Sequence, residues 1–252
     1  MSPSAVRAET IQALRRQLVS SQKSVSVQKC IPTGLCSLDH LLPGGGLPTS
    51  SLIEWISEDS GQAAASIALR SLSPMLSLAG CLAVIDERHD FHADAARAQG
   101  IPLSRLLLIR PEKRAEAVSS GGSRFVRRTS ASESEALWAL EQSARCPGVR
   151  AILCWLDRAS SAVMRRLQLA IERSGVTIVL MRSSGALSQA SFADLRLHVQ
   201  ATIHPASSQR PVHRANQQRT FSVRLLRSRH GLQHDGTASL YQEPWTEQLR
   251  SN

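Results

Sequence analysis

The sequence predicts an α/β fold: a mainly parallel sheet covered by helices, with an N-terminal helix before it and an antiparallel hairpin at its C-terminal end. Three observations predict it. Short, largely apolar runs recur at 52–56, 81–85, 106–109, 149–156 and 176–181, which is how strands buried on both faces read. Segments suited to helices separate them, at 62–78 (with Ile67, Leu69, Leu72 and Met75), 93–99, 134–145 and 159–174, and such alternation implies right-handed crossovers between parallel strands. Beyond 195 the pattern changes: 195–203 and 220–227 alternate apolar and polar residues across a polar connection at 204–218, as half-exposed hairpin strands do.

The remaining elements follow in chain order. Residues 1–26 place Val6, Ile11, Leu14 and Leu18 at near-helical spacing, interleaved with Arg7, Glu9, Arg15 and Arg16, and then run into a Ser/Gln-rich stretch; this predicts an N-terminal amphipathic helix and linker. The core is assigned to 27–203. Near its start, Leu41-Leu-Pro-Gly-Gly-Gly46 supplies a backbone turn. Within it, 112–133 is rich in Ser, Gly and Arg and reads as a flexible surface loop. The stretch 204–252 reads as a basic hairpin strand followed, after Gly231, by a tail.

With 252 residues, 42% of them hydrophobic, the chain can close one sizeable core with appendages. No apolar run approaches the roughly 20 residues of a bilayer-spanning helix, and the N-terminus lacks an apolar signal-peptide segment, so a cytoplasmic protein without a membrane partner is expected. Cys30, Cys36, Cys81, Cys146 and Cys154 form no C-x-x-C pair; Cys81 and Cys154 lie in apolar runs and read as small core residues. Neither a metal nor a cofactor is expected. The net charge of +10 is almost all arginine, with Lys23, Lys29 and Lys113 the only lysines. Guanidinium forks match phosphate and carboxylate, so a nucleic acid or an acidic protein is one reading of this excess and a solvated surface is the other.

Family resemblance enters at Thr33-Gly-Leu-Cys-Ser-Leu-Asp39, Leu42-Pro-Gly-Gly-Gly-Leu-Pro48 and Ser51-Leu-Ile-Glu-Trp55. Together they resemble the opening of the RecA recombinase core, where a glycine cluster, Leu-Pro and a strand ending in Glu precede the phosphate loop. Ile85-Asp86 with His89, Gln99-Gly100-Ile101 and 106–111 resemble the segments that follow, so the likeness covers 25–203 and implies a RecA-like sheet. Within that superfamily, Leu41-Leu-Pro-Gly-Gly-Gly-Leu-Pro48, Glu135-Ala-Leu-Trp-Ala-Leu-Glu-Gln142, Cys154-Trp-Leu156, Arg165-Arg-Leu-Gln-Leu169 and Val223-Arg-Leu-Leu-Arg227 resemble the ImuA family, a departure being the insertion at 112–133. The resemblance implies an accessory protein of DNA-damage-induced translesion synthesis in the SOS response. Its implied partners are the RecA recombinase, an ImuB-like Y-family protein and an error-prone C-family polymerase.

The phosphate loop itself is degenerate. The pattern G-x-x-x-x-G-K-[ST] wraps phosphates with backbone N–H groups, reaches them with lysine and holds magnesium with a hydroxyl. Here Ser57-Glu-Asp-Ser-Gly61-Gln-Ala-Ala has Ser57 for the first glycine, Gly61 one residue early, Gln62 for lysine and Ala63 for the hydroxyl. Glu58 and Asp59 add negative charge where a helix N-terminus would attract anions. ATPase activity is therefore not expected. After the buried run Ala151 to Cys154, Trp155 stands where an acidic residue belongs and Asp157 comes two positions late. Arg88 aligns with the catalytic glutamate of RecA, while Asp86 and Glu87 read as polar residues at a strand end. No G-x-S-x-G or H-E-x-x-H motif occurs.

No acidic residue lies between 195 and 234, while Arg196, Arg219, Arg224, Arg227 and Arg229 fall there. If the two strands pair, Arg196 and Arg224 share one face and form a cationic strip for DNA, including single-stranded DNA, or for an acidic partner. Only Phe221 supplies an aromatic ring in the strip, few for single-strand stacking. Arg182, before the loop 183–192, falls where RecA places a DNA-binding loop and joins the candidates. Arg165 and Arg166 read as a solvated helix face. Trp138, between Leu137 and Leu140, reads as core packing, with an interface anchor as the alternative. Two other functions stay open: a cell-division inhibitor of the SulA type, and a DNA-dependent ATPase with a cryptic site.

Overall fold

A computed structural model describes residues 29–58, 62–77, 79–111, 131–203, 219–229 and 237–241. The N-terminal helix expected within 1–26, most of the loop expected at 112–133, the hairpin connection 204–218 and the last residues of the tail lie outside these.

Two short strands, β1 (Cys30–Ile31) and β2 (Leu47–Pro48), pair antiparallel around helix α1 (Cys36–Leu41). Local sequence accounts for this arrangement. Asp39 Oδ1 accepts hydrogen bonds from both the Thr33 N–H and its hydroxyl at 2.8 Å, while Leu38 and Leu41 are buried. Gly46 passes so close to the Ile31 carbonyl that a Cβ would sit 2.3 Å from its oxygen, so no other residue fits the crossing.

The main sheet follows: β3 (Leu52–Ser57), α2 (Gln62–Leu76), β4 (Cys81–Ile85), α3 (Ala93–Ala98), β5 (Leu106–Ile109), α4 (Ala131–Arg145), β6 (Val149–Trp155), α5 (Ser161–Ser174), β7 (Thr177–Ser183), β8 (Leu195–Ile203), β9 (Arg219–Ser228) and β10 (Thr237–Tyr241). Its eight strands run in the order β10-β9-β8-β3-β7-β6-β4-β5. The six from β5 to β8 are parallel, and β9 and β10 extend them antiparallel. This is the α/β architecture with a terminal hairpin that the apolar runs predict. Pleating sends alternate strand residues to two cores. Ile53, Trp55, Leu82, Val84, Val179 and Met181 join the core that includes α2. Leu52, Ala83, Ile152, Ile178 and Leu180 join the one with α4 and α5. Helix α5 has local signals at both ends: the Ser160 hydroxyl accepts the Val163 N–H at 3.3 Å, and Gly175 at φ +71° ends it in the left-handed conformation.

In the hairpin, Leu195, Leu197, Val199, Phe221, Val223, Leu225, Ala238 and Leu240 extend the α2-side core, and α1 packs against β10. Two expectations need correction. Helix α4 starts at Ala131, inside the stretch read as loop, and 237–241, read as tail, forms strand β10, whose Ala238 and Leu240 bury against the hairpin.

Candidate functional site

Strand β3 lies between β7 and β8. The chain leaves β3 for β4 on one side of it, and passes from β7 to β8 across it, so the connections diverge at the carboxyl ends of these strands. In open α/β sheets that divergence opens the crevice where ligands bind. Ser57, Glu58, Asp157 and Ser183 border it. Ser57 is buried at the end of β3, and Gln62 and Ala63 are the first two residues of α2. Their side chains, and Gly61, are outside the described residues.

The carboxylates at this edge are engaged by neighbouring groups. Glu58 Oε1 accepts from Gln200 Nε2 at 3.2 Å and lies 3.8 Å from His198 Nε2. Asp157 Oδ2 is 3.2 Å from Arg88 Nη2, and its Oδ1 accepts the Ser183 N–H at 2.8 Å. Asp157 thus ties the ends of β6 and β7 together and meets Arg88 from the turn after β4. Asp86 is fully buried and organises that turn: it accepts the N–H groups of Asp90 and Phe91 and Arg110 Nε at 2.9 Å. This geometry gives Asp86 a structural task.

Beneath the crevice sits a buried ionic triad. Glu54, in the middle of β3, receives Arg182 Nη1 on Oε1 at 2.8 Å and Arg196 Nε on Oε2 at 2.7 Å. The cause is register: β3 pairs Ile56 with Arg182 of β7 and Glu54 with Arg196 of β8, which aims both guanidiniums at one carboxylate. Arg182 Nη2 also donates to the Asp157 carbonyl at 3.0 Å and to Gln189 Oε1 at 2.5 Å, and Arg196 Nη2 donates to the Ala186 carbonyl. The sequence points to both arginines as DNA or partner contacts. The structure corrects that expectation: Arg182 is buried and Arg196 nearly so, with their donors directed into the protein.

The other basic residues differ. Arg224, Arg227 and Arg229 are exposed on β9 and just after it. Arg224 pairs with His198 and Arg227 with Arg196, so the register brings these residues together on the sheet, with an irregularity between Arg196 and Leu197. Arg227 Nη1 donates to the Ser191 carbonyl at 2.6 Å, and Arg229 Nη1 lies 3.3 Å from Asp194 Oδ1. Arg219 opens β9, its side chain outside the described residues. Phe221 is buried on the opposite face.

Trp138 corrects another expectation, since it is 66% exposed on α4. Ala136, Ala139, Leu140 and Ala144 form the buried face of that helix, and two residues of α-helix place Trp138 about 200° from Ala136. Arg165 and Arg166 are exposed, and Arg166 meets Glu141 at 3.1 Å. Cys154 is buried; desolvation, with Glu87 adding, pushes its thiol up to about 12, so it packs as a neutral group. Among the described residues no three His, Cys, Asp or Glu converge to hold a metal, and no helix is long and apolar enough to cross a membrane. Sequence reasoning missed the roles of Glu54 and Asp194. For Glu54 a signal existed, an acid within an otherwise apolar strand, where burial demands a partner.

The eight-stranded, mostly parallel sheet with its helices and its antiparallel C-terminal hairpin is a RecA-like α/β architecture, on the strength of the similarity that follows. The sequence is similar to the RecA N-terminal domain over residues 14–130. It is 34% identical over 90 residues to protein RecA of Chloroherpeton thalassium and 36% identical over 89 residues to that of Saccharopolyspora erythraea, in each case 35% of this chain and 25% of the relative. Against protein RecA of Petrotoga mobilis the identity is 34% over 83 residues, 32% of this chain and 22% of the relative. The chain thus spans about a quarter of the length of the curated relatives it matches.

Proposed function

We propose that this chain is a non-catalytic RecA-like accessory protein of DNA-damage-induced translesion synthesis. It acts by binding the RecA recombinase, an ImuB-like Y-family protein and an error-prone C-family polymerase, and its basic C-terminal end holds single-stranded DNA or an acidic protein segment. The observation that carries the reading is at the start of α2. Where a phosphate-binding helix presents lysine and a hydroxyl, this one begins Gln62-Ala63-Ala64, and the turn before it carries Glu58. Backbone N–H groups alone can attract an anion there, but Gln62 and Ala63 supply neither the lysine that neutralises the β and γ phosphates nor the hydroxyl that holds magnesium. A body that does not cycle on nucleotide is left with binding as its means of action. The similarity to the RecA N-terminal domain supports a surface suited to recombinase assemblies, and the motifs shared with the ImuA family support the particular partners.

The test has two parts. Isothermal titration with ATP and magnesium is expected to give no heat of specific binding, and no hydrolysis should accompany DNA addition. Tight magnesium-dependent binding would establish the cryptic ATPase instead. Co-purification is expected to retain the recombinase and the two mutagenesis partners. Retention of the tubulin-like division protein alone would favour the SulA-type inhibitor.

A further inference from the structure

At the edge of the sheet opposite the crevice, the basic end of β9 meets the return that leads into β8. After β7 the chain returns through the short turn Ser184–Ser188 and residues 189–194 to start β8, beside the end of β9, where Leu195 pairs with Ser228. The last part of this return is clamped. Gln168 Nε2 on α5 donates to the Phe192 carbonyl at 2.8 Å, Arg227 Nη1 holds the Ser191 carbonyl at 2.6 Å, and the Asp194 N–H donates to the Leu52 carbonyl at 2.8 Å. Arg229 reaches the Asp194 carbonyl with its own N–H at 2.8 Å and the Asp194 carboxylate with its guanidinium. Despite these ties Phe192 is 42% exposed, and Leu187 in the same return is 40% exposed. A fixed backbone that offers an aromatic ring to solvent beside two exposed arginines has the composition of an interface hot spot. Its pre-ordering lowers the entropy lost on docking.

We propose that the corner formed by Phe192, Arg227 and Arg229 docks an acidic peptide segment that carries an apolar anchor residue. This deepens the reading above, resting on its assignment of the basic end as a binding surface and naming the occupant. Charge sets the sign of the partner: Arg224, Arg227 and Arg229 are exposed, while the nearby Asp194 is committed to the Leu52 N–H at 2.9 Å and to Arg229. A guanidinium has five N–H donors, so Arg227 can take a carboxylate while its tether to Ser191 persists. The apolar part selects peptide over nucleic acid. Single strands bind by stacking successive bases on aromatic rings, whereas this corner offers the single ring of Phe192, with Phe221 buried on the other face. One ring suits a single apolar side chain flanked by acids.

The test is fluorescence anisotropy on the full chain with three probes: a labelled Asp/Glu-rich peptide containing a central Phe-Leu pair, the same peptide with Ser at both positions, and an oligothymidine strand. The Phe-Leu peptide is expected to bind, and the Ser peptide to bind about tenfold more weakly, the loss of one anchoring contact. Phe192→Ala and Arg227→Gln should each weaken the Phe-Leu peptide by about tenfold or more, and Arg165→Ala on α5 should leave it unchanged. Thermal melts confirm that the variants remain folded. No binding of the Phe-Leu peptide, or binding indifferent to Phe192→Ala, overturns the proposal. Oligothymidine binding that vanishes with Phe192→Ala, without peptide binding, assigns the corner to single-stranded DNA and overturns it as well. If the chain retains its mutagenesis partners yet ignores the peptide, only this inference fails; if it takes the peptide but retains none of those partners, only the accessory function fails.

Discussion

Arginines on neighbouring strands of one sheet serve opposite purposes in this molecule. In the parallel part, Arg182 and Arg196 converge on Glu54 and are withdrawn from water. In the antiparallel extension, Arg224 and Arg227 stand exposed although they pair with His198 and Arg196 of the adjacent strand. Residue type is the same, so the difference comes from what flanks each strand. Strands β7 and β8 both border β3, which offers a buried carboxylate at the matching register. On the extension, the face opposite Phe221, Val223 and Leu225 is not part of either core. A guanidinium there keeps its hydration and remains open to a partner. Net charge alone therefore overstates the cationic surface, because part of the excess is engaged inside.

The strongest way to break this comparison is to remove the shared carboxylate. Glu54→Ala leaves two guanidiniums facing each other in a buried site, and loss of one member of a buried ionic group costs about 3–5 kcal/mol. The urea midpoint should fall accordingly, with the slope of the transition unchanged. Glu54→Gln, which keeps the shape and loses the charge, should also destabilise. If either variant unfolds like the parent, the triad does not hold the sheet, and the division into structural and surface arginines loses its basis.

How much of this the sequence could reveal depends on how far apart the partners lie. The parallel strands are legible because each is a local run, and α5 because Ser160 and Gly175 mark its ends. The fate of Arg182 and Arg196 is not local: Glu54 lies 128 residues from the first and 142 from the second, and only the strand order unites them. Trp138 is a different kind of miss. Reading it against Leu137 and Leu140 suggests core, but counting the small residues Ala136, Ala139 and Ala144 as the apolar face turns the ring outward. Strand β10 anchors itself through Ala238 and Leu240, a signal too sparse to mark a strand in a polar stretch. The departure of 57–64 from the phosphate-loop pattern is a property of the sequence alone, read residue by residue, whereas the Phe192 corner needs the fold to bring β9 against the return from β7.

An intermediate effect sharpens the boundary between the two regions. Asp194 belongs to both: it is buried at the start of β8, it accepts the Leu52 N–H from β3, and it meets the exposed Arg229. Asp194→Ala strands the Leu52 N–H in the core and should cost about 1–3 kcal/mol. Arg229→Ala removes only the solvent-side partner, and an exposed pair contributes about 0–1 kcal/mol. Chemical denaturation of the two variants compares these directly, and equal losses would mean that Arg229 is as structural as the buried pair.

The smallest effect is expected at Arg224. Its side chain is exposed opposite His198, and removing a surface side chain away from a packed feature shifts stability by no more than about 0.5 kcal/mol. Arg224→Ala should therefore melt with the parent. In binding the same change should be visible, because each cation that meets an anionic partner steepens the salt dependence of association. A titration at two ionic strengths separates the cases: a shallower salt dependence at unchanged stability places Arg224 with the binding surface, and a lowered melting temperature places it with Arg182 and Arg196, as part of what holds the sheet together.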